Sequence, residues 1–224
     1  MLKLYHHPLS PMARRVWITL LEKNIPFESI IINLDGEQFR SDFLKLNPFH
    51  QVPIVVDNEL RILESLAIID YIEAKYPLPS LLPKNPEQLA KVRMVQMLSE
   101  HKVIPQLFPL IVEPEKSRKL IKSRRQLHRV LNVFSELLGD DDYFGGDRFS
   151  AGDIVGGNGV ILINKLGISL EKYPNLLAWC DRLMQREVWQ KTQPNEAGIA
   201  IFRERMHALS QMKQGKKMFI RKIK

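Results

Sequence analysis

The chain has 224 residues, 45% hydrophobic and 26% charged, a balance that supports one large or two small cores and excludes global disorder. Its single cysteine, Cys180, excludes an intrachain disulfide and a multi-cysteine metal site, so no metal is expected. The net charge of +8 is uneven, because Lys213, Lys216, Lys217, Arg221, Lys222 and Lys224 lie within the last twelve residues. The basic balance is therefore read as a solvated tail at 213–224, and nucleic acid is not an expected partner. No charged segment followed by a long apolar stretch opens the chain, and no run approaches the ~20 apolar residues of a membrane span. An intracellular, cytoplasmic protein is expected.

In chain order, Leu2-Lys3-Leu4-Tyr5 reads as a short strand and His6 to Pro11 as a loop. From Met12, the residues Val16, Trp17, Leu20 and Leu21 share one helical stripe, which Asn24 and Pro26 end. Phe27 to Ile32 predicts a second strand, and Ser41 to Leu46 a short helix stopped by Asn47-Pro48. The runs Val52–Val56 and Leu60–Leu63 flank Asp57-Asn58 and predict a hairpin. Leu66, Ile69 and Ile72 mark another helix. Strand, helix, strand, helix, hairpin, helix is a thioredoxin-like order, with a parallel first pair and a right-handed crossover. Three prolines in Tyr76–Pro83 make a stiff linker. Beyond it the pattern is helical. Expected helices lie around Leu89–Leu98, Leu120–Leu138, from a Ser150–Asp153 capping box, over Pro174–Val188 and over Ile199–Met212. In the fourth, Leu177, Cys180 and Met184 are expected to face the core. The predicted class is α/β plus all-α. It has an amino-terminal thioredoxin-like domain at 1–78, a linker at 79–85 and an all-helical domain at 86–212.

Three stretches carry a family resemblance. The first runs through Asn47-Pro48-Phe49-His50-Gln51-Val52-Pro53, Asp57, Leu63-Glu64-Ser65-Leu66-Ala67-Ile68, Tyr71-Ile72 and Lys75-Tyr76-Pro77. The second is Phe149-Ser150-Ala151-Gly152-Asp153-Ile154, and the third runs from Tyr173-Pro174-Asn175-Leu176 through Trp179 to Arg182. In this order they resemble the glutathione transferase superfamily. The resemblance implies glutathione as co-substrate, a small electrophile as second substrate, and a homodimer.

Glutathione offers a γ-glutamyl ammonium and carboxylate, a thiol and a glycine carboxylate. Glu64-Ser65, where a strand gives way to a helix, suits the γ-glutamyl end. The helix amino terminus and the Ser65 hydroxyl face the anion, and Glu64 faces the ammonium. The resemblance implies a cis Val52-Pro53 bond, leaving the Val52 backbone to pair with the cysteinyl backbone like an added strand. It also makes His50, Gln38 and Gln51 candidates for the glycine carboxylate. Ser10, four residues before Arg14, matches the serine of theta- and delta-like members. Its role would be to donate a hydrogen bond to the thiolate, not to attack. Tyr5 is an alternative donor that reads instead as the end of the first strand. Ala13 stands where many relatives have a cysteine, and His6 and His7 read as loop residues beside the cleft. Arg14 reads as a partner for the helical domain. Leu9, Met12, His101, Pro105 and Phe108 are candidates for the electrophile side, while Cys180 and Trp179 read as core. A glutathione-dependent peroxidase or isomerase, or a non-catalytic binding module, remains an alternative on the same scaffold.

Overall fold

Strands β1 (Leu2–His6), β2 (Phe27–Ile31), β3 (Ile54–Asp57) and β4 (Leu60–Ile62) form one sheet in the order β2-β1-β3-β4. The computed structural model describes residues 1–222, with side chains described to Gln211. β1 pairs parallel with β2, as the β-α-β unit requires, and antiparallel with β3, which pairs antiparallel with β4 in the hairpin. The hairpin is tied down by a motif residue. Asp57 accepts from the Tyr71 hydroxyl at 2.8 Å and from Lys75, both on helix α3 (Ser65–Lys75).

Helix α1 (Pro11–Glu22) starts at the Ser10 cap with proline in its first turn, where a missing N–H costs nothing. The sequence marks only one stripe on it. In the fold it packs against α3, α7 and α9, so Arg14, Arg15 and Thr19 are buried as well. Helix α2 (Ser41–Leu46) follows as expected. The linker is anchored by a buried pair. Lys23 Nζ lies 2.5 Å from Glu73 Oε1 and 2.5 Å from the Pro79 carbonyl, and Glu73 Oε2 accepts from the Leu81 N–H.

The rest is helical. Elements α4 (Pro86–Leu98), α5 (Ile104–Val112), α6 (Arg118–Leu138) and α7 (Ala151–Lys165) are followed by α8 (Pro174–Met184), α9 (Glu187–Thr192) and α10 (Glu196–Lys222). A π-helical turn at Ser99–Val103 joins α4 to α5. The Ser150–Asp153 capping box forms, and the Asp153 carboxylate also accepts from Trp179 Nε1 and the Phe144 N–H. Two expectations need correction. The predicted fourth helix is two helices, α8 and α9. The core face of α8 carries Leu176, Trp179, Cys180 and Leu183, while Leu177 is 42% exposed. The stripe is shifted by one residue because the helix is laid down against Trp179, whose indole is fixed by Asp153. Trp179 and Cys180 are core, and burial pushes the Cys180 thiol up to about 12. The expected basic tail at 213–224 has its side chains outside the described residues.

Candidate active site

Ser10 sits where β1 delivers the chain to α1. Its N–H donates to the His7 carbonyl (2.9 Å), and its Oγ accepts from the Ala13 N–H (3.3 Å). The cap uses the hydroxyl as acceptor, so its proton is still available for donation. A helix cap and a thiolate donor are therefore compatible roles for one serine. Ser10 is buried but lines a cavity of about 940 Å³ between the two halves of the chain.

One wall of that cavity is built by the sheet domain from Ser10, Met12, Gln38, His50, Gln51, Val52, Pro53, Glu64 and Ser65. Seven of these are the residues expected for glutathione. The Val52-Pro53 bond is cis, as the resemblance implies. Glu64 is the N-cap of α3, with φ 64° and ψ 115° and no side-chain cap bond. Such a conformation costs a non-glycine residue about 1–3 kcal/mol and concentrates at functional sites. It leaves Ser65 as the first helical residue, buried at a helix amino terminus facing the cavity. Across from it, Arg15 Nη2 pairs with Glu100 Oε2. Burial pulls the guanidinium down while Glu100 and Glu64 hold it charged. Glu100 lines the cavity too, so two carboxylates and a helix amino terminus meet at one end.

At the other end the polar residues are largely engaged with the protein. The Gln38 amide closes its own loop, accepting from the Gly36 N–H (3.0 Å) and donating to the Leu34 carbonyl (2.9 Å). His50 Nδ1 lies 3.2 Å from the Gln38 carbonyl, which can only accept. Nδ1 therefore carries the proton, and Nε2 donates to a carboxylate only when the ring is protonated. Gln51 lines the cavity while its carbonyl accepts from Asn47 Nδ2 at 2.8 Å.

The second wall comes from Glu100, Ile104 and the α10 residues Arg205, Met206, Ala208 and Leu209. Of the five residues expected on the electrophile side, Met12 lines this cavity. Leu9 instead lines a void of about 20 Å³ with Arg14, Asn158 and Gln193, room for about one water. His101, Pro105 and Phe108 do not line the cavity. His101 lies within the π-helical turn and Pro105 and Phe108 on α5, whose cavity-facing residue is Ile104. The α10 residues lie almost 200 positions from Ser10, and no local pattern could have placed them there.

Tyr5 lies within β1, packs with the cluster around Ile54, and is not among the residues lining the cavity. His6 is a strand residue, not a loop residue lining the cleft. It is 1% exposed, bonded through Nε2 to Ser29 Oγ (2.7 Å), and burial pulls its pKa down to about 4. Arg14 is an inter-half tie. It donates to Asn158 Oδ1 (2.9 Å) and the Thr192 (3.1 Å) and Trp189 (3.4 Å) carbonyls. Among the described residues, no cluster of His, Cys, Asp and Glu could hold a metal, and no helix is long and apolar enough to cross a membrane.

A thioredoxin-like half with a cis-proline, joined to a helical half across a shared cavity, defines a class of two-domain, thiol-handling enzymes. Comparison with known proteins narrows it. The model described as glutathione S-transferase, N-terminal domain, matches residues 4–80, and the corresponding C-terminal domain model matches residues 95–187. Glutathione S-transferase 3 of Zea mays is 32% identical, over 85% of this chain and 92% of its own length. Maleylacetoacetate isomerase of Mus musculus is 30% identical, over 85% and 91%. Isozyme E7 of Drosophila melanogaster superposes with a TM-score of 0.78 at 26% identity, over 93% and 96%. A Drosophila mojavensis homologue solved with bound glutathione gives 0.78 at 26%, over 92% and 96%. The chain belongs to the glutathione S-transferase family.

Proposed function

We propose that this chain is a serine-type glutathione transferase, in which Ser10 stabilises the glutathione thiolate for attack on small apolar electrophiles. The observation that carries this reading is the position of Ser10: a cap hydroxyl, with its proton to spare, at the amino terminus of α1 and on the cavity wall. A free thiol with pKa near 8.5 is only about 3% ionised at pH 7. Lowering it by about two units makes most of it thiolate and requires about 2.7 kcal/mol of selective stabilisation. A hydrogen bond to a charged acceptor contributes about 1.5–3 kcal/mol. A helix amino terminus adds about 0.3–1 kcal/mol. Together the two suffice. In this reading Glu64, Glu100 and Ser65 take the γ-glutamyl end. Val52 pairs with the cysteinyl backbone, and His50, Gln38 and Gln51 border the glycine carboxylate. Met12, Ile104, Met206 and Leu209 receive the electrophile.

The test is the thiol pKa of bound glutathione, from thiolate absorbance against pH, in the parent and in Ser10→Ala. The expected parent value lies well below the free one. In the variant it returns toward it, and kcat/KM at neutral pH falls by about 25-fold, the ratio of the two thiolate fractions. An unshifted parent value despite saturable glutathione binding overturns thiol activation and favours a binding module.

The 30%-identical maleylacetoacetate isomerase supports a second reading, a glutathione-dependent isomerase. There the thiolate would add to a double bond, permit rotation and leave again. Turnover without net glutathione consumption separates the two. We further assign the glutathione domain to 1–78, the linker to 79–85 and the electrophile domain to 86–212, in a cytoplasmic homodimer. Apolar Leu60, Phe49, Met94 and Met97, exposed by 43–64% on a single chain, support the dimer. A monomer mass by light scattering would refute it.

A further inference from the structure

His7 joins two parts of the molecule that the proposed function treats separately. Its backbone carbonyl accepts the Ser10 N–H at 2.9 Å, and its ring Nδ1 accepts the Leu9 N–H at 3.1 Å. The other ring nitrogen, Nε2, lies 2.8 Å from Arg205 Nη1 on α10, and Arg205 Nη2 lies 3.2 Å from Asp35 Oδ2. Arg205 also lines the large cavity, one residue before Met206. Arginine and a backbone N–H only donate, whereas a neutral imidazole has one nitrogen that accepts and one that donates. Two donors therefore face a ring with a single lone pair.

We propose that His7 and Arg205 form a latch, in which α10 and the Ser10 loop compete for one imidazole lone pair. Closure of α10 over the electrophile side is thereby coupled to the loop that presents Ser10. With the lone pair on Nε2, Arg205 is held, α10 is seated, and the Leu9 N–H faces a ring N–H. With the lone pair on Nδ1, the Leu9 N–H is satisfied as in an Asx-type turn, and Arg205 keeps only Asp35. Each arrangement leaves one donor badly placed, so neither is favoured by much, as a bistable element requires. Arg205 and His7 are positioning residues; neither touches the reacting sulfur in the proposed reaction.

Protonation removes the lone pair and both bonds together. The groups facing His7 are Arg205 from α10, Asp35 from the loop after β2, and His6 beside it on β1. Burial and Arg205 oppose its protonation, and Asp35 favours it, with a net downward shift from the usual imidazole value. At neutral pH the ring is uncharged and exchanges between the two arrangements, and acidification below the ordinary histidine range removes the Arg205 bond altogether.

Two substitutions separate the bonds. In His7→Asn the side-chain oxygen sits where Nδ1 was, so it keeps the Leu9 bond and falls short of Arg205. In His7→Gln the longer chain presents its oxygen toward Arg205. The experiment is amide hydrogen exchange over 199–209 in the full chain without substrate, for the parent, His7→Asn, His7→Gln, Arg205→Met and the His7→Asn/Arg205→Met double variant. His7→Asn and Arg205→Met are expected to speed exchange by about threefold to tenfold, the factor for losing one modest hydrogen bond. The double variant is expected to be no faster than Arg205→Met, because that substitution already removes the only contact that His7→Asn breaks, together with the Asp35 pair. His7→Gln should stay protected, and it alone should remain protected on acidification. KM for the electrophile should rise in His7→Asn and Arg205→Met with kcat less affected. Equal opening in His7→Gln and His7→Asn, additive effects in the double variant, or no change in Arg205→Met overturns the latch. The kinetic arm rests on the transferase reading. The exchange arm uses no substrate, so failure of thiol activation leaves it interpretable. Arg205 lies on a partly exposed helix face, so its substitution reads out the latch even where a His7 variant folds poorly.

Discussion

Ser10 shows how one side chain serves stability and chemistry together. The hydroxyl oxygen caps α1 through the Ala13 N–H, and the same bond polarises its proton for donation. Ser10→Ala should therefore lower stability by about 1 kcal/mol through the lost cap, apart from its effect on the thiol. The offset of Ser10 from Arg14 singles it out in the sequence by a family pattern, whereas its place as the α1 cap comes from the structure. His6 belongs to β1 and not to the following loop, because the strand runs one residue beyond Tyr5. Its ring packs against Trp17, with centroids 5.1 Å apart, in an apolar layer that discourages the charged form. That burial has a consequence for pH. The folded pKa is about 4 against an ordinary 6.5, so between these values the unfolded chain binds a proton that the folded chain refuses. Stability is then full above about pH 6.5 and falls by about 3 kcal/mol on acidification to about pH 4. His7 is shifted in the same direction and adds to the same limb. Urea midpoints against pH should show this slope, and His6→Phe should flatten part of it. An unchanged slope in the variant would remove His6 as its source.

At the level of elements, regular periodicity was readable and departures from it were not. The β1-α1-β2 unit, the hairpin and the long amphipathic α6 follow from spacing alone. The π-helical turn at Ser99–Val103 did not, because five-residue spacing leaves no distinctive residue pattern. With that turn in place, Glu100 and Ile104 line the cavity, and His101 and Pro105 do not. Helix α7 carries the opposite kind of signal. Gly156, Gly157 and Gly159 within one helix look unfavourable by propensity, yet a Cβ at Gly157 would lie 2.3 Å from Leu183 Cδ1 and 2.8 Å from the Trp189 ring. The glycine allows α7 to approach α8 and α9 closely. Gly157→Ala, which gains helix propensity, should nevertheless destabilise by about 1–3 kcal/mol through overpacking. A urea midpoint at or above the parent's would show that Leu183 and Trp189 yield without cost.

Across the whole molecule, the cavity exists only because the two halves hold a fixed relation. Arg14 supplies much of that relation from the same helix that carries Ser10. Its guanidinium is buried against neutral acceptors from α7 and from α9 and its end, with Trp189 5.0 Å from its centre. Burial lowers its pKa to about 10, so it stays charged at neutral pH. Among the described residues no carboxylate is bonded to it, and its charge is balanced by three oxygens and an aromatic face. Asn158 completes the joint by donating from Nδ2 to the Pro11 carbonyl at 2.6 Å. Removing the guanidinium strands three buried acceptors, which predicts a loss of about 3–5 kcal/mol in Arg14→Met. Lysine cannot replace it, because one ammonium has no planar fork with which to reach separated oxygens. Cooperativity should weaken along with stability. In the parent, Trp17 in α1 and Trp179 and Trp189 in α8 and α9 should report one urea transition coincident with far-UV circular dichroism. In Arg14→Met the fluorescence transition, weighted toward the helical half, should separate from the dichroism transition. If both midpoints move together by less than about 1 kcal/mol, the halves are held mainly by apolar packing and Arg14 is a minor tie.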